Sequence, residues 1–121
     1  TAMPPAVACA ALAAVRLLNE EAWRRDHLHR LVARFRAGAE ALDLPLLPST
    51  GPIQPLLVGD AARAMALSDA LRQRGLLVGA IRPPTVPRGT SRLRITLTAA
   101  HDEQQVDTLL QALRDARVQA P

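Results

Sequence analysis

No lysine occurs in these 121 residues; all 15 basic residues are arginine. Arginine does not deprotonate in proteins, so no side chain of this chain can form an imine with a carbonyl cofactor. Tyrosine is also missing, and Trp23 and Phe35 are the only aromatics. A base-stacking platform for nucleic acid is therefore excluded, despite the arginines. The single cysteine, Cys9, rules out an internal disulfide framework, and with three scattered histidines it argues against a structural zinc site. No apolar run has the length of a bilayer crossing, so no membrane association is expected. No basic stretch leads into an apolar core and cleavage site, which makes a reducing cytoplasm the expected compartment.

What remains is the composition of one ordinary globular unit. Hydrophobic residues make up 49% and charged residues 21% of the chain, with a mean hydropathy of +0.06. A chain of this size buries roughly two thirds of its unfolded surface, enough for one core. The net charge is +4. The first residue is Thr1 rather than methionine, and a segment of a longer protein is the expectation.

Residues 4–18 read as a helix opened by Pro4 and Pro5, where missing amide donors cost nothing. Val7, Ala11, Val15 and Leu18 form one stripe, yet Leu12 and Leu17 lie off it, so this helix expects partners on more than one side. Cys9 on it is expected to be a small buried residue. A second helix runs to about Leu42, with Leu28, Leu31, Val32, Phe35 and Ala39 on one side. Its arginines are interleaved with Glu20, Glu21, Asp26 and Glu40, which favours a solvated face over a nucleic-acid surface. His27 and His29 do not share a face and are expected at the surface.

A proline-broken connection at 44–52 leads to a strand at 53–58, which Pro55 assigns to a sheet edge. Asp60 is an N-cap for a helix that Gly75 terminates. A strand at 76–81 and a stiff loop at 82–90 follow. Leu93, Ile95 and Leu97 then alternate with Arg92, Arg94 and Thr96, the period-2 pattern of a half-buried strand. The last helix, about 102–117, buries Val106, Leu109, Leu110 and Leu113, and His101 at its start reads as a cap. The expected fold is α+β: a three-stranded, mainly antiparallel sheet with helices on one face, strand 92–97 in the middle.

Arg92 and Arg94 project from the face opposite the apolar trio. Two arginines on a strand are ordinary surface residues on pattern alone, but guanidinium also binds carboxylate through two parallel hydrogen bonds. Arg82 and Thr85 flank a proline-stiffened backbone that presents side chains with little entropy left to lose. A stiff strand connection is the plainer reading of the same residues.

Ile81-Arg82-Pro83-Pro84-Thr85-Val86-Pro87, followed by Arg92-Leu93-Arg94-Ile95-Thr96-Leu97-Thr98-Ala99-Ala100-His101, closely resembles the C-terminal signature of the 8-amino-7-oxononanoate synthase family. Gln54-Pro55 with Gly59-Asp60, and the opening Thr1-Ala2-Met3-Pro4-Pro5, resemble the same family in the same order, so the likeness spans essentially the whole chain. It implies a pyridoxal-phosphate enzyme of the aspartate-aminotransferase fold, a cytoplasmic homodimer of biotin synthesis that joins L-alanine to a pimeloyl thioester. The chain would be its C-terminal small domain, residues 20–121, preceded by a connecting helix at 1–19. The cofactor lysine would lie upstream, consistent with the absence of lysine here.

By the same resemblance, Arg94 holds the amino-acid carboxylate and Thr85 contacts substrate. Arg82 is a second carboxylate or acyl-chain contact, and Thr1 reaches the cofactor phosphate of the other subunit. No catalytic residue falls within the chain. A related α-oxoamine synthase forming aminolevulinate or 2-amino-3-ketobutyrate, or an independent arginine-rich binding module, are the competing readings.

Overall fold

A computed structural model describes residues 2–119, with side chains described through residue 116. Thr1 lies outside the described residues, and so does the phosphate contact expected of it. The element order is α1 (Pro5–Glu20), α2 (Trp23–Ala41), β1 (Ile53–Gly59), α3 (Ala61–Gln73), β2 (Gly79–Ile81), β3 (Ser91–Thr96) and α4 (Glu103–Gln119).

The three strands form one antiparallel sheet in the order β1-β3-β2, with β3 central and the Pro55 strand at an edge, as expected. Pro55 pairs with Arg94 on β3, and its carbonyl accepts from Leu47 N on the outer side of β1. An antiparallel residue points its N–H and C=O to the same side, so the missing proline donor costs the β1–β3 ladder nothing. Leu57 N donates outward in the same way, to Pro45 O, so the segment before β1 covers this edge.

Helices α2, α3 and α4 cover one sheet face. Leu31 and Phe35 from α2, Leu71 from α3, Leu93 and Ile95 from β3, and Val106 from α4 are all at most 2% exposed. Arg34 ties α2 to α4 by a bidentate bond to Asp107, both contacts 2.8 Å. Helix ends follow local chemistry. Asp60 Oδ1 accepts from Arg63 N at 2.8 Å at the start of α3, and Gly75 at φ +79° ends it in a Schellman motif, with Leu76 N bonded to Leu71 O. Asp102 and Gln105 form a reciprocal capping box before α4.

Four expectations need correction. The strand expected at 76–81 begins only at Gly79, because Val78 O is taken by Ser68 Oγ of α3 at 2.6 Å and Leu76 N by the end of that helix. Cys9 is exposed, not buried: α1 contributes no buried residue, and Val7, Leu12, Val15, Leu17 and Leu18 are each about half exposed. His27 is half-buried, its Nε2 2.8 Å from His101 O, and so links α2 to the turn before α4. His101 does not cap α4: its Nδ1 accepts from Thr98 N at 3.0 Å within the turn before the helix, and Asp102 is the cap.

Candidate functional site

The face of the sheet away from the helices carries the candidate residues. Cross-strand register places Ile53, Pro55 and Leu57 of β1, Arg92, Arg94 and Thr96 of β3, and Gly79 and Ile81 of β2 on it. None of these is acidic. A guanidinium here therefore has no carboxylate beside it on the face.

Arg94 and Arg92 differ in their surroundings. Arg94 is exposed and stands between Pro55 on one neighbour and Gly79 on the other. A short ring and a bare backbone leave room around its side chain, and it has no hydrogen bond or ion pair among the described residues. Arg92 lies between Leu57 and Ile81 and is half-buried. Its Nε donates to Thr90 O at 3.1 Å and its Nη2 to Thr90 Oγ1 at 3.3 Å. Of the two strand arginines, Arg94 has its whole guanidinium free for an anion, whereas Arg92 spends its Nε and one Nη2 N–H on Thr90.

The loop between β2 and β3 rises from the end of this face. Arg92 and Ile81 are the last paired residues before it, so Arg94 stands about 7 Å from its base at the rise of an antiparallel strand. Arg82, Pro83, Pro84 and Thr85 make a tight turn, with a cis Pro83–Pro84 bond and Thr85 N donating to Arg82 O at 3.1 Å. Thr85 is exposed, with its side chain unbonded among the described residues. Pro87 and Thr90 close a second turn, Thr90 Oγ1 donating to Pro87 O at 2.8 Å.

Arg82 is placed differently. It lines a groove of about 570 Å³ at the start of α3, together with Asp60, Arg88 and Ser91. The structure thus brings Arg92 and Arg94 together on one face with Thr85 on the adjoining loop, and groups Arg82 with Arg88. Sequence reasoning gave Arg88 no role; its place two residues before Thr90 in the stiff loop was the available signal.

The chain's donor set does not fit a covalently held carbonyl cofactor, since no lysine is present. Among the described residues no group of histidine, cysteine, aspartate or glutamate could hold a metal ion. No helix among them is long and apolar enough to cross a membrane. A free guanidinium at Arg94 and an unbonded hydroxyl at Thr85 are the groups the arrangement offers to an anionic ligand.

Comparison with known proteins places the chain in a family. Residues 1–113 match the family model of aminotransferase class I and II. The 8-amino-7-oxononanoate synthase of Ectopseudomonas mendocina is 62% identical over 115 residues, which is 95% of this chain and 30% of the relative. That of Pseudomonas paraeruginosa is 61% identical over 116 residues, 96% of this chain and 29% of the relative. The chain thus spans about 30% of the length of these curated relatives.

Among solved structures, a Sphingomonas wittichii serine palmitoyltransferase superposes with TM-score 0.89 at 30% identity, over 99% of this chain and 31% of that one. The 8-amino-7-oxononanoate synthase of Francisella tularensis superposes with TM-score 0.83 at 27% identity, over 98% of this chain and 34% of that one. The sheet and its helical layer are thus those of a known architecture, and the chain belongs to the aminotransferase class I and II family.

Proposed function

We propose that this chain is the C-terminal part of a pyridoxal-phosphate-dependent 8-amino-7-oxononanoate synthase, a cytoplasmic homodimer of biotin synthesis. The reaction joins L-alanine to a pimeloyl thioester. A bond forms between the alanine Cα and the thioester carbonyl carbon, the thiol leaves, and the alanine carboxylate departs as carbon dioxide. The cofactor, held by the rest of the protein, supplies the electron sink that stabilises negative charge on Cα.

The observation that carries this reading is Arg94: an unpaired guanidinium on an acid-free sheet face, within a chain about 60% identical to synthases of this name. A planar fork holds the amino-acid carboxylate through two hydrogen bonds and so fixes the orientation of the Cα substituents, which is worth several kcal/mol when it places the breaking bond correctly. Thr85 offers a hydroxyl to the acyl donor from the proline-stiffened turn. Arg82 is a second anion contact, from the groove at the start of α3. Thr1 is assigned to the cofactor phosphate of the second subunit by the family resemblance. Residues 1–19 connect residues 20–121 to the rest of the protein, which would cover the exposed apolar side chains of α1.

The test is a substrate panel on the intact protein, with products identified by mass spectrometry. L-alanine with pimeloyl-CoA, and with a pimeloyl carrier-protein thioester, should give 8-amino-7-oxononanoate. Turnover of glycine with succinyl-CoA or acetyl-CoA in preference to both would assign the chain to an aminolevulinate- or aminoketobutyrate-forming relative instead.

A further inference from the structure

Arg92 has the same residue type and faces the same way as Arg94, but its contacts give it different work. Two of its five N–H donors are spent on one residue, Thr90, through Nε to the carbonyl and Nη2 to the hydroxyl. Thr90 in turn donates twice to Pro87 O, from its hydroxyl at 2.8 Å and from its backbone N–H at 3.2 Å. The loop's first turn is closed separately, by Thr85 N to Arg82 O. Between the two turns lies only Val86, and Pro87, which opens the second, has a fixed φ. The orientation of Thr85 relative to β3 is therefore set from two sides: by the Arg82–Thr85 turn that follows Ile81 at the end of β2, and by how firmly the Pro87–Thr90 turn is tied down. Arg92 is the only side chain from the sheet bonded to that turn among the described residues.

Its own position is fixed in turn. Cross-strand Leu57 and Ile81 flank the half-buried side chain, limiting its rotamers before any ligand arrives. No acidic residue of β1, β2 or β3 shares this face, so Thr90 does not compete with a carboxylate for the guanidinium.

We propose that Arg92 is a positioning residue: it braces the loop at 82–90 through Thr90 and Pro87, and so presents Thr85 to the acyl donor while Arg94 holds the amino acid. This rests on the proposed reading of Thr85 and Arg94 as substrate contacts. A brace and a second anion ligand make opposite predictions. A brace works through Thr90, so removing the Thr90 hydroxyl and removing the guanidinium overlap in effect. A ligand works through charge, so the Thr90 hydroxyl is irrelevant to it.

The experiment is a double-mutant cycle in the intact holoenzyme with Arg92→Gln, Thr90→Val and the pair, plus Arg92→Lys. Kinetics are measured with L-alanine and pimeloyl-CoA, and hydrogen exchange is followed at the Thr90 amide. We expect Arg92→Gln and Thr90→Val each to raise KM for pimeloyl-CoA by roughly 3- to 10-fold, the span of one or two lost hydrogen bonds. KM for alanine should change less than twofold, and the double variant should be no worse than the more affected single variant. Arg92→Lys, which keeps charge but not the fork, should resemble Arg92→Gln. The Thr90 amide should exchange at least severalfold faster in Arg92→Gln, whatever the substrate is.

Multiplicative KM effects, full rescue by Arg92→Lys, or a raised KM for alanine alone would overturn the brace. Unchanged exchange at Thr90 in Arg92→Gln would overturn it as well. These outcomes are separable from failure of the functional reading, which would show as absent turnover of alanine with pimeloyl thioesters by the unsubstituted enzyme.

Discussion

Gln54 is a polar side chain where the β1 alternation calls for an apolar one, and replacing it tests how the helical layer is joined to the sheet. It is fully buried. Its Oε1 accepts from Arg36 Nη1 of α2 at 2.6 Å, and its Nε2 donates to Gly51 O at 2.7 Å. Gln54→Leu keeps most of the volume and removes both bonds. A bond to a charged donor is worth about 1.5–3 kcal/mol and an amide–carbonyl bond about 1 kcal/mol, giving roughly 2.5–4 kcal/mol in sum. Arg36 is half-buried, and its other contact, to Leu47 O, is a long 3.5 Å. Water recovers part of its hydration, which brings the expected loss to about 2–3 kcal/mol. Native-state hydrogen exchange at the β1 and β3 amides of the intact protein reads that loss directly. Arg36→Met added to Gln54→Leu removes the stranded charge and should restore part of the stability. A cost for Gln54→Leu below about 1 kcal/mol, or a double variant at least as unstable as the summed singles, would refute this account of the pair.

Gly38 of α2 faces α4 so closely that an added Cβ would lie 2.3 Å from Leu110 Cδ1. Gly38→Ala should therefore destabilise by about 1–2 kcal/mol net, whereas in a Leu110→Ala background it should stabilise by up to about 1 kcal/mol through helix propensity, both read by the same exchange measurement. The bond from Arg34, with its charge, holds the Asp107 carboxyl below the usual carboxylate range. Its stabilisation is complete above the ordinary aspartate pKa and is lost as pH falls through the lowered one. Arg34→Met should thus flatten the acid limb of a stability-versus-pH curve and leave its neutral-to-alkaline shape unchanged.

The parts of the fold legible in the sequence were those set by local chemistry. Leu93, Ile95 and Leu97 announce β3 because a strand buried on one face must alternate. Pro55 announces an edge because it lacks a donor, and Asp60 and Gly75 mark α3 because capping is local. What failed depended on partners distant in sequence. β2 is short because Ser68 captures Val78 O, and no pattern within 76–81 records that. Cys9 was expected to be buried from its apolar helix, yet among the described residues nothing covers α1.

The candidate site divides the same way. The outward direction of Arg92 and Arg94 follows from the alternation. Which of them is free depends on Thr90, visible only once the turn is folded. Gln54 was readable but unread: it is inward by the same alternation that places Leu56 inward, and a buried amide requires a partner.

The central claim is that the free fork of Arg94 binds the amino-acid carboxylate, and steady-state kinetics of Arg94→Ala in the intact enzyme test it most directly. Arg94 is exposed and packs into no core, so stability should change little. Losing a bidentate, charge-assisted pair should cost about 2–5 kcal/mol in kcat/KM for L-alanine. Arg94→Lys should recover only part of that. Wild-type kcat/KM for alanine in a folded, cofactor-loaded Arg94→Ala enzyme would contradict the account and move the carboxylate site elsewhere.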